Sequence, residues 1–172
     1  MDPALVARVS ALYREHHDFV WRNARRLGCA DDWVDDAVHE VFLVVTRRLG
    51  EFEGRAQPRT WLFAITFRVA QRMRRDRARQ RGHVRRYAEG LPPARVVPDE
   101  AATEYLRYLL LKLPVAQQLV LVLAELEGFT SSEVAETLGI PLGTVHSRLR
   151  TAKQTLTRVI EQESAHDERS EP

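Results

Sequence analysis

The sequence predicts an all-α protein built as two small helical domains joined by a flexible linker, the C-terminal domain containing a helix-turn-helix. Three observations carry this. Apolar residues recur at helical spacing in both halves, and no alternating strand pattern appears. The stretch "EGLPPARVVPDE" separates the halves with three prolines and no period. Near the end, "TSSEVAETLGIPLGTVHSRLR" interrupts two short helix-forming runs with Gly-Ile-Pro-Leu-Gly.

Taken in order, the first segment sets Leu5, Val9, Leu12, Phe19, Val20, Ala24 and Leu27 at helical spacing, with Gly28 as the C-terminal stop. A second helix follows "CADD", where Asp31 or Asp32 is placed to cap, and buries Val34, Val38, Val41, Phe42, Val45 and Leu49. The loop "GEFEGRAQP" ends on Pro58, which suits a first helical turn. The third helix then runs from about Arg59 into an Arg-rich stretch. Helical patterns resume at "TEYLRYLLLKL" and "VAQQLVLVLAELEG". The expected domains are 1–88 and 104–162, with 89–103 as linker and 163–172 as a polar, disordered tail.

With 172 residues, 44% hydrophobic and 29% charged, the chain reads as globular. No apolar run approaches the roughly 20 residues that span a bilayer, and "MDPALVARVS" lacks the apolar core of a signal peptide. No membrane insertion is expected. A single cysteine, Cys29, excludes an internal disulfide, and a cytoplasmic home is the simplest. The chain contains no phosphate-cradling Gly-rich loop and no His-Glu-x-x-His site; the adjacent His16 and His17 have no third ligand at a useful spacing. No catalytic residue, metal or cofactor is expected, so the chain is not read as an enzyme.

Net charge is only +2, yet residues 68–86 hold nine Arg against the single acid Asp76. Residues 31–40 hold five acids and no Arg or Lys. Such separation points to two different partners, one of them polyanionic. Two solvated helix faces are the competing reading, and the better one for the acidic run taken alone.

Thr130 and Glu133 form a capping-box pattern, Val134, Ala135 and Leu138 supply a buried face, and Gly139 ends the helix. Ile140–Gly143 are expected to turn the chain and Thr144 to cap the next helix. On that helix Val145, Leu149, Ala152 and Leu156 share a stripe. The opposite side carries Ser147, Arg150, Thr151 and Gln154, flanked by His146, Arg148 and Lys153. Arg reads guanine with two hydrogen bonds and Gln pairs with adenine, so this face suits DNA. In "TWLFAITFRVAQRMRRDRARQR", Leu62, Ile65, Val69 and Met73 form an apolar stripe; beside it run Trp61, Arg68, Arg72, Arg75 and Arg79. An aromatic ring heading a row of guanidinium groups suits a nucleic-acid backbone, although a core position is the commoner fate of Trp.

These residues resemble the extracytoplasmic-function (ECF) group of sigma-70 family initiation factors, from about Leu12 to Leu156. "DDAVHEVFL" is similar to the family's helix that docks on RNA polymerase, and "PRTWLFAI" to its Arg-Thr-Trp-Leu segment. "LP" at 113–114, "AELEGFTSSEVAETLGIPLGTVHSRLR" and the Pro-rich tether resemble the −35-reading domain and its linker. The resemblance implies a sigma factor that binds core RNA polymerase and promoter DNA, with an anti-sigma factor as a further partner. It implies polymerase contacts at Asp35, Asp36, His39, Glu40 and Phe42. It implies −10 contacts at Arg55, Arg59, Trp61, Arg68, Arg72 and Arg75, with an unstacked base held by the loop Gly50–Pro58. It implies −35 contacts at Thr144, His146, Ser147, Arg148, Arg150, Thr151 and Lys153. The family usually has Gln where this chain has His39, often Asn at Arg68, and commonly Lys or Arg at His146. The alternatives are a stand-alone helix-turn-helix repressor or activator on duplex operators, and a decoy that only occupies polymerase or an inhibitory partner.

Overall fold

The computed structural model describes residues 3–52, 57–84 and 98–167. All regular elements among them are helical. In order they are α1 (Pro3–Arg26), α2 (Val34–Arg48) with a 3-10 turn at Leu49–Glu51, α3 (Pro58–Val84), α4 (Pro98–Lys112), α5 (Val115–Leu121) continuing as a π-helical turn at Val122–Leu126, α6 (Ser131–Leu138) and α7 (Leu142–Asp167). The chain divides into two compact units, residues 1–103 and 104–172.

In the first unit α1, α2 and α3 pack pairwise. Their shared core holds Phe19, Val20, Ala24 and Leu27 from the α1 end, Val34, Val38, Val41, Phe42 and Val45 from α2, and Leu62, Phe63, Ile65, Val69 and Ala70 from α3. Burial in α1 starts only at His16; the apolar residues of its first turns, Leu5, Val9 and Leu12, stay part-exposed. Gly28 ends α1 as expected. Its φ of 97° is open to glycine, and the Cys29 N–H donates to Ala24 while Gly28 N–H donates to Arg25, which closes the last turn. Arg74 of α3 donates to the carbonyl of Leu27 at 3.1 Å, setting a cation at the negative end of α1.

The start of α2 differs from expectation. Neither Asp31 nor Asp32 caps it; the N-cap position is Trp33, without a side-chain cap bond. The aspartates are drawn elsewhere, Asp31 to Arg25 at 2.8 Å and Asp32 to Arg77 at 3.5 Å. Trp33 is buried, with the Arg77 guanidinium 4.9 Å above its ring. Burial of Trp33 and Val34 sets where the helix begins, because each aspartate finds an arginine in preference to a backbone N–H.

The second unit is organised around α5 and the π-helical turn that continues it, where every residue from Gln118 to Leu123 is buried. Burial of this stretch on every side, Gln118 included, puts it at the centre of the unit, and α5 packs on α7. Leu109, Leu110 and Leu113 of the α4 end, Phe129, Val134 of α6, and Val145 and Ala152 of α7 complete the core. Two expected boundaries shift. Residues 98–103 of the predicted linker already form the start of α4, and residues 163–167 of the predicted tail continue α7. Glu163 accepts hydrogen bonds from the phenol groups of Tyr105 (3.0 Å) and Tyr108 (2.7 Å), so α4 holds that part of α7 in place. The rest of the expected linker, 89–97, and of the tail, 168–172, lies outside the described residues.

Candidate nucleic-acid and polymerase interfaces

The helix-turn-helix is set by local chemistry. Thr130 Oγ1 accepts from the Glu133 N–H at 3.3 Å, and the Glu133 carboxylate accepts from the Thr130 N–H at 2.8 Å. This capping box also holds the Glu133 carboxyl below its usual value, chiefly through the Thr130 backbone bond. Gly139, at φ 63°, ends α6, with Ile140 N–H donating to Ala135 and Gly139 N–H to Glu136. Next comes a tighter turn than the sequence implies. Helix α7 begins at Leu142, and Thr144 and Val145 N–H both donate to the carbonyl of Pro141 (2.9 and 3.2 Å). Thr144 is therefore inside the first turn and not its cap. Proline fixes its own φ near the helical value, so the helix starts directly after Pro141.

On α7, Val145 and Ala152 are fully buried and Leu149 and Leu156 partly so. The outer side presents His146, Ser147, Arg150, Lys153 and Gln154 exposed, with Thr144, Arg148 and Thr151 half-buried. Ser147 donates its hydroxyl to Thr144 O (3.1 Å) and Thr151 to Ser147 O (2.9 Å), which leaves their lone pairs outward as acceptors. Arg150 makes no hydrogen bond or ion pair among the described residues, so all its donors are available to a ligand. Lys153 is engaged: its ammonium lies 2.9 Å from Glu125 of the π-helical turn. The sequence reading missed Glu125, and no local pattern marks it.

The first unit carries the second basic surface. Arg68, Arg72, Arg75 and Arg79 are exposed along α3, while Trp61 is half-buried. The Trp61 ring packs 4.9 Å from Phe52, which holds the first part of the Gly50–Pro58 loop against α3. Arg59 lies over the Phe19 ring at 4.7 Å, committed to the edge of the core. Arg55 lies outside the described residues. A groove of about 160 Å³ between α2 and α3 has Val44, Ile65 and Val69 as its apolar floor and Arg48, Arg68 and Arg72 on its rim. Arg68 and Arg75 have no polar partner among the described residues.

The acidic face of α2 is less independent than its charge run implies. Glu40 lies 2.6 Å from Arg72, Asp36 lies 3.8 Å from Arg77, and Asp35 accepts from the Trp21 indole at 3.0 Å. His39 is exposed. Phe42 is buried, its ring 4.7 Å from Tyr13, so it supports this face from beneath and does not stand on it. Among the described residues no group of three or more His, Cys, Asp or Glu side chains could hold a metal ion.

Comparison with known proteins gives the family. Residues 12–80 match sigma-70 region 2, and residues 103–156 match sigma-70 region 4. The ECF RNA polymerase sigma factor SigE of Mycolicibacterium smegmatis is 31% identical, over 98% of this chain and 68% of that protein. The ECF RNA polymerase sigma factor SigL of Mycobacterium tuberculosis is 30% identical, over 92% of each. The sigma factor RpoE of Bartonella quintana, solved with the anti-sigma factor NepR, has the same fold at a TM-score of 0.65 and 19% identity, over 87% of this chain and 94% of that one. With both regions matched in order, and relatives aligned over nearly the whole chain, the protein belongs to the ECF group of sigma-70 family RNA polymerase sigma factors, which act in transcription initiation.

Proposed function

We propose that this chain binds core RNA polymerase through the exposed residues of α2, engages the −10 region with the arginine row of α3, and reads the −35 duplex with α7. The observation that carries the reading is the state of the donors. Arg150 on α7, and Arg68 and Arg75 on α3, are exposed and have no polar partner among the described residues, so each protein unit offers cations to a polyanion. The −35 element would meet Arg150 and Gln154 as base readers, with Ser147 and Thr151 accepting from base amino groups. Trp61 would act by holding Phe52 of the loop against α3, and Arg59 by anchoring α3 to α1, more than by touching DNA.

A stand-alone helix-turn-helix regulator accounts for the second unit and leaves the region 2 match of the first without a role. An anti-sigma protein is proposed as a further partner, since the Bartonella quintana relative is bound to one. No described helix is long and apolar enough to cross a membrane, and the proposed setting is the cytoplasm, with the polymerase.

The test is DNA footprinting with and without core polymerase. Each unit is small, so neither alone has much surface for tight binding; polymerase would hold both to one promoter and raise the affinity. Promoter protection only in the presence of core is the expected result. Tight, sequence-specific protection by the chain alone would favour the stand-alone regulator.

A further inference from the structure

The two charge blocks that look separate in the sequence are paired in the fold. Glu40 sits against Arg72 at 2.6 Å, with its side chain 28% exposed, and Arg77 reaches Asp32 at 3.5 Å and Asp36 at 3.8 Å. The helix proposed to dock on polymerase thus neutralises arginines of the helix proposed to hold DNA. Beside this seam an open trough of about 450 Å³ is lined by Asp36, His39, Glu40, Arg72, Met73 and Asp76. An incoming basic side chain has room there to reach Glu40 and take it from Arg72.

We infer that the Glu40–Arg72 contact is an autoinhibitory lock: in the free chain Glu40 occupies Arg72, and a basic partner surface that takes Glu40 frees Arg72 for a DNA phosphate. This rests on the reading of α2 as the polymerase-docking helix. Arg72 is half exposed and needs only a rotation of its side chain to leave Glu40. A guanidinium released in this way pairs with phosphate as well as with carboxylate. Arg77 is held more firmly, by two aspartates and by the Trp33 ring, and stays behind. The lock would lower DNA binding by stray copies of the chain and make phosphate contact depend on docking.

The experiment measures binding of the full chain, without polymerase, to a short fluorescein-labelled single strand of mixed sequence across a salt series. Glu40→Gln removes the acid and keeps the shape. It should tighten binding about two- to fivefold, the range an exposed ion pair is worth. It should also steepen the slope of log K against log salt by about 0.7, as for one added phosphate contact. In an Arg72→Gln background the gain should vanish. Glu15→Gln, which removes the same charge from an exposed position on α1, should give no comparable gain. Asp36→Asn should give less than Glu40→Gln, because Arg77 keeps Asp32. A Glu40→Gln gain that persists without Arg72, or that only equals Glu15→Gln, overturns the lock, as does an absence of binding by both wild type and Glu40→Gln at low salt. Promoter-specific transcription with core polymerase is run beside it. Active wild-type protein with no Glu40→Gln effect refutes the lock alone, whereas inactive wild-type protein refutes the functional reading.

Discussion

Replacing Arg150 with Ala isolates base reading from folding. Arg150 lies five residues from Val145 and two from Ala152, so at about 100° per residue it stands some 140–160° from the buried stripe of α7. It is exposed and makes no polar contact among the described residues, so truncation opens no cavity and orphans no partner. Surface changes of this kind alter stability by less than about 0.5 kcal/mol. Its cost should therefore appear almost entirely in binding. If Arg150 makes two hydrogen bonds to a guanine, the loss is about 1–3 kcal/mol, or roughly 5- to 160-fold in affinity. The assay is binding of the core polymerase–sigma complex to promoters carrying each base in turn at every −35 position. Wild type should discriminate strongly at one or two positions where Arg150→Ala does not, while affinity for already mismatched promoters stays nearly unchanged. Arg150→Lys should keep the charge and still lose the discrimination, because an ammonium lacks the planar fork. A uniform loss across all promoters, with the salt slope reduced by about 0.9, would make Arg150 a phosphate contact and refute the reasoning.

Further outcomes follow from residues in both units. Lys153→Ala should weaken binding to all sequences alike and lower its salt dependence. Glu125→Gln should do the reverse, since Glu125 now holds that ammonium at 2.9 Å; opposite signs in a salt titration are the check. Thr130→Ala removes the cap of α6 and should destabilise the second unit by about 0.5–2 kcal/mol in denaturant melts of the full chain. The Glu133 contribution has a definite pH sense: its carboxyl is held below its unfolded value, so stabilisation is present above that value and fades as pH falls through the lower folded one. Glu133→Gln should abolish this acid-side loss. Thr130→Ala keeps the backbone N–H that chiefly lowers the carboxyl and should leave most of it. An unchanged pH profile in Glu133→Gln would count against the capping box. Finally, Arg68 has donors and no acceptors, and it rims the α2–α3 groove. Arg68→Asn should therefore shift the −10 base preference away from acceptor-rich guanine or thymine while leaving the −35 preference alone. Transcription from a library randomised across the −10 element measures this; identical base profiles would make Arg68 a backbone contact.

What was legible in the sequence was what short-range chemistry decides. Gly28 and Gly139 end helices because only glycine sits easily at φ 97° and 63°. Thr130 and Glu133 form their box because both partners lie within one turn. The apolar stripes of α2 and α3 follow from spacing alone. Long-range competition was not legible. Asp31 and Asp32 lost their capping role to Arg25 and Arg77, the latter arriving from another helix. Glu40 and Glu125 found Arg72 and Lys153 across the fold, turning apparently free charges into pairs. Phe42 is buried as the α2 stripe predicts; what that stripe does not report is that Tyr13 of α1 lies against its ring. Thr144 failed as a cap for a local reason: Pro141 starts the helix earlier than a Ser/Thr cap rule assumes.

The most direct measurement of the central claim is reconstituted transcription. Core RNA polymerase, the purified chain and genomic DNA are combined, and the 5′ ends of the RNA are sequenced. The account predicts starts that require the chain and share two sequence elements, the upstream one losing its base preference with Arg150→Ala and the downstream one shifting with Arg68→Asn. Start sites that are the same with and without the chain would contradict it.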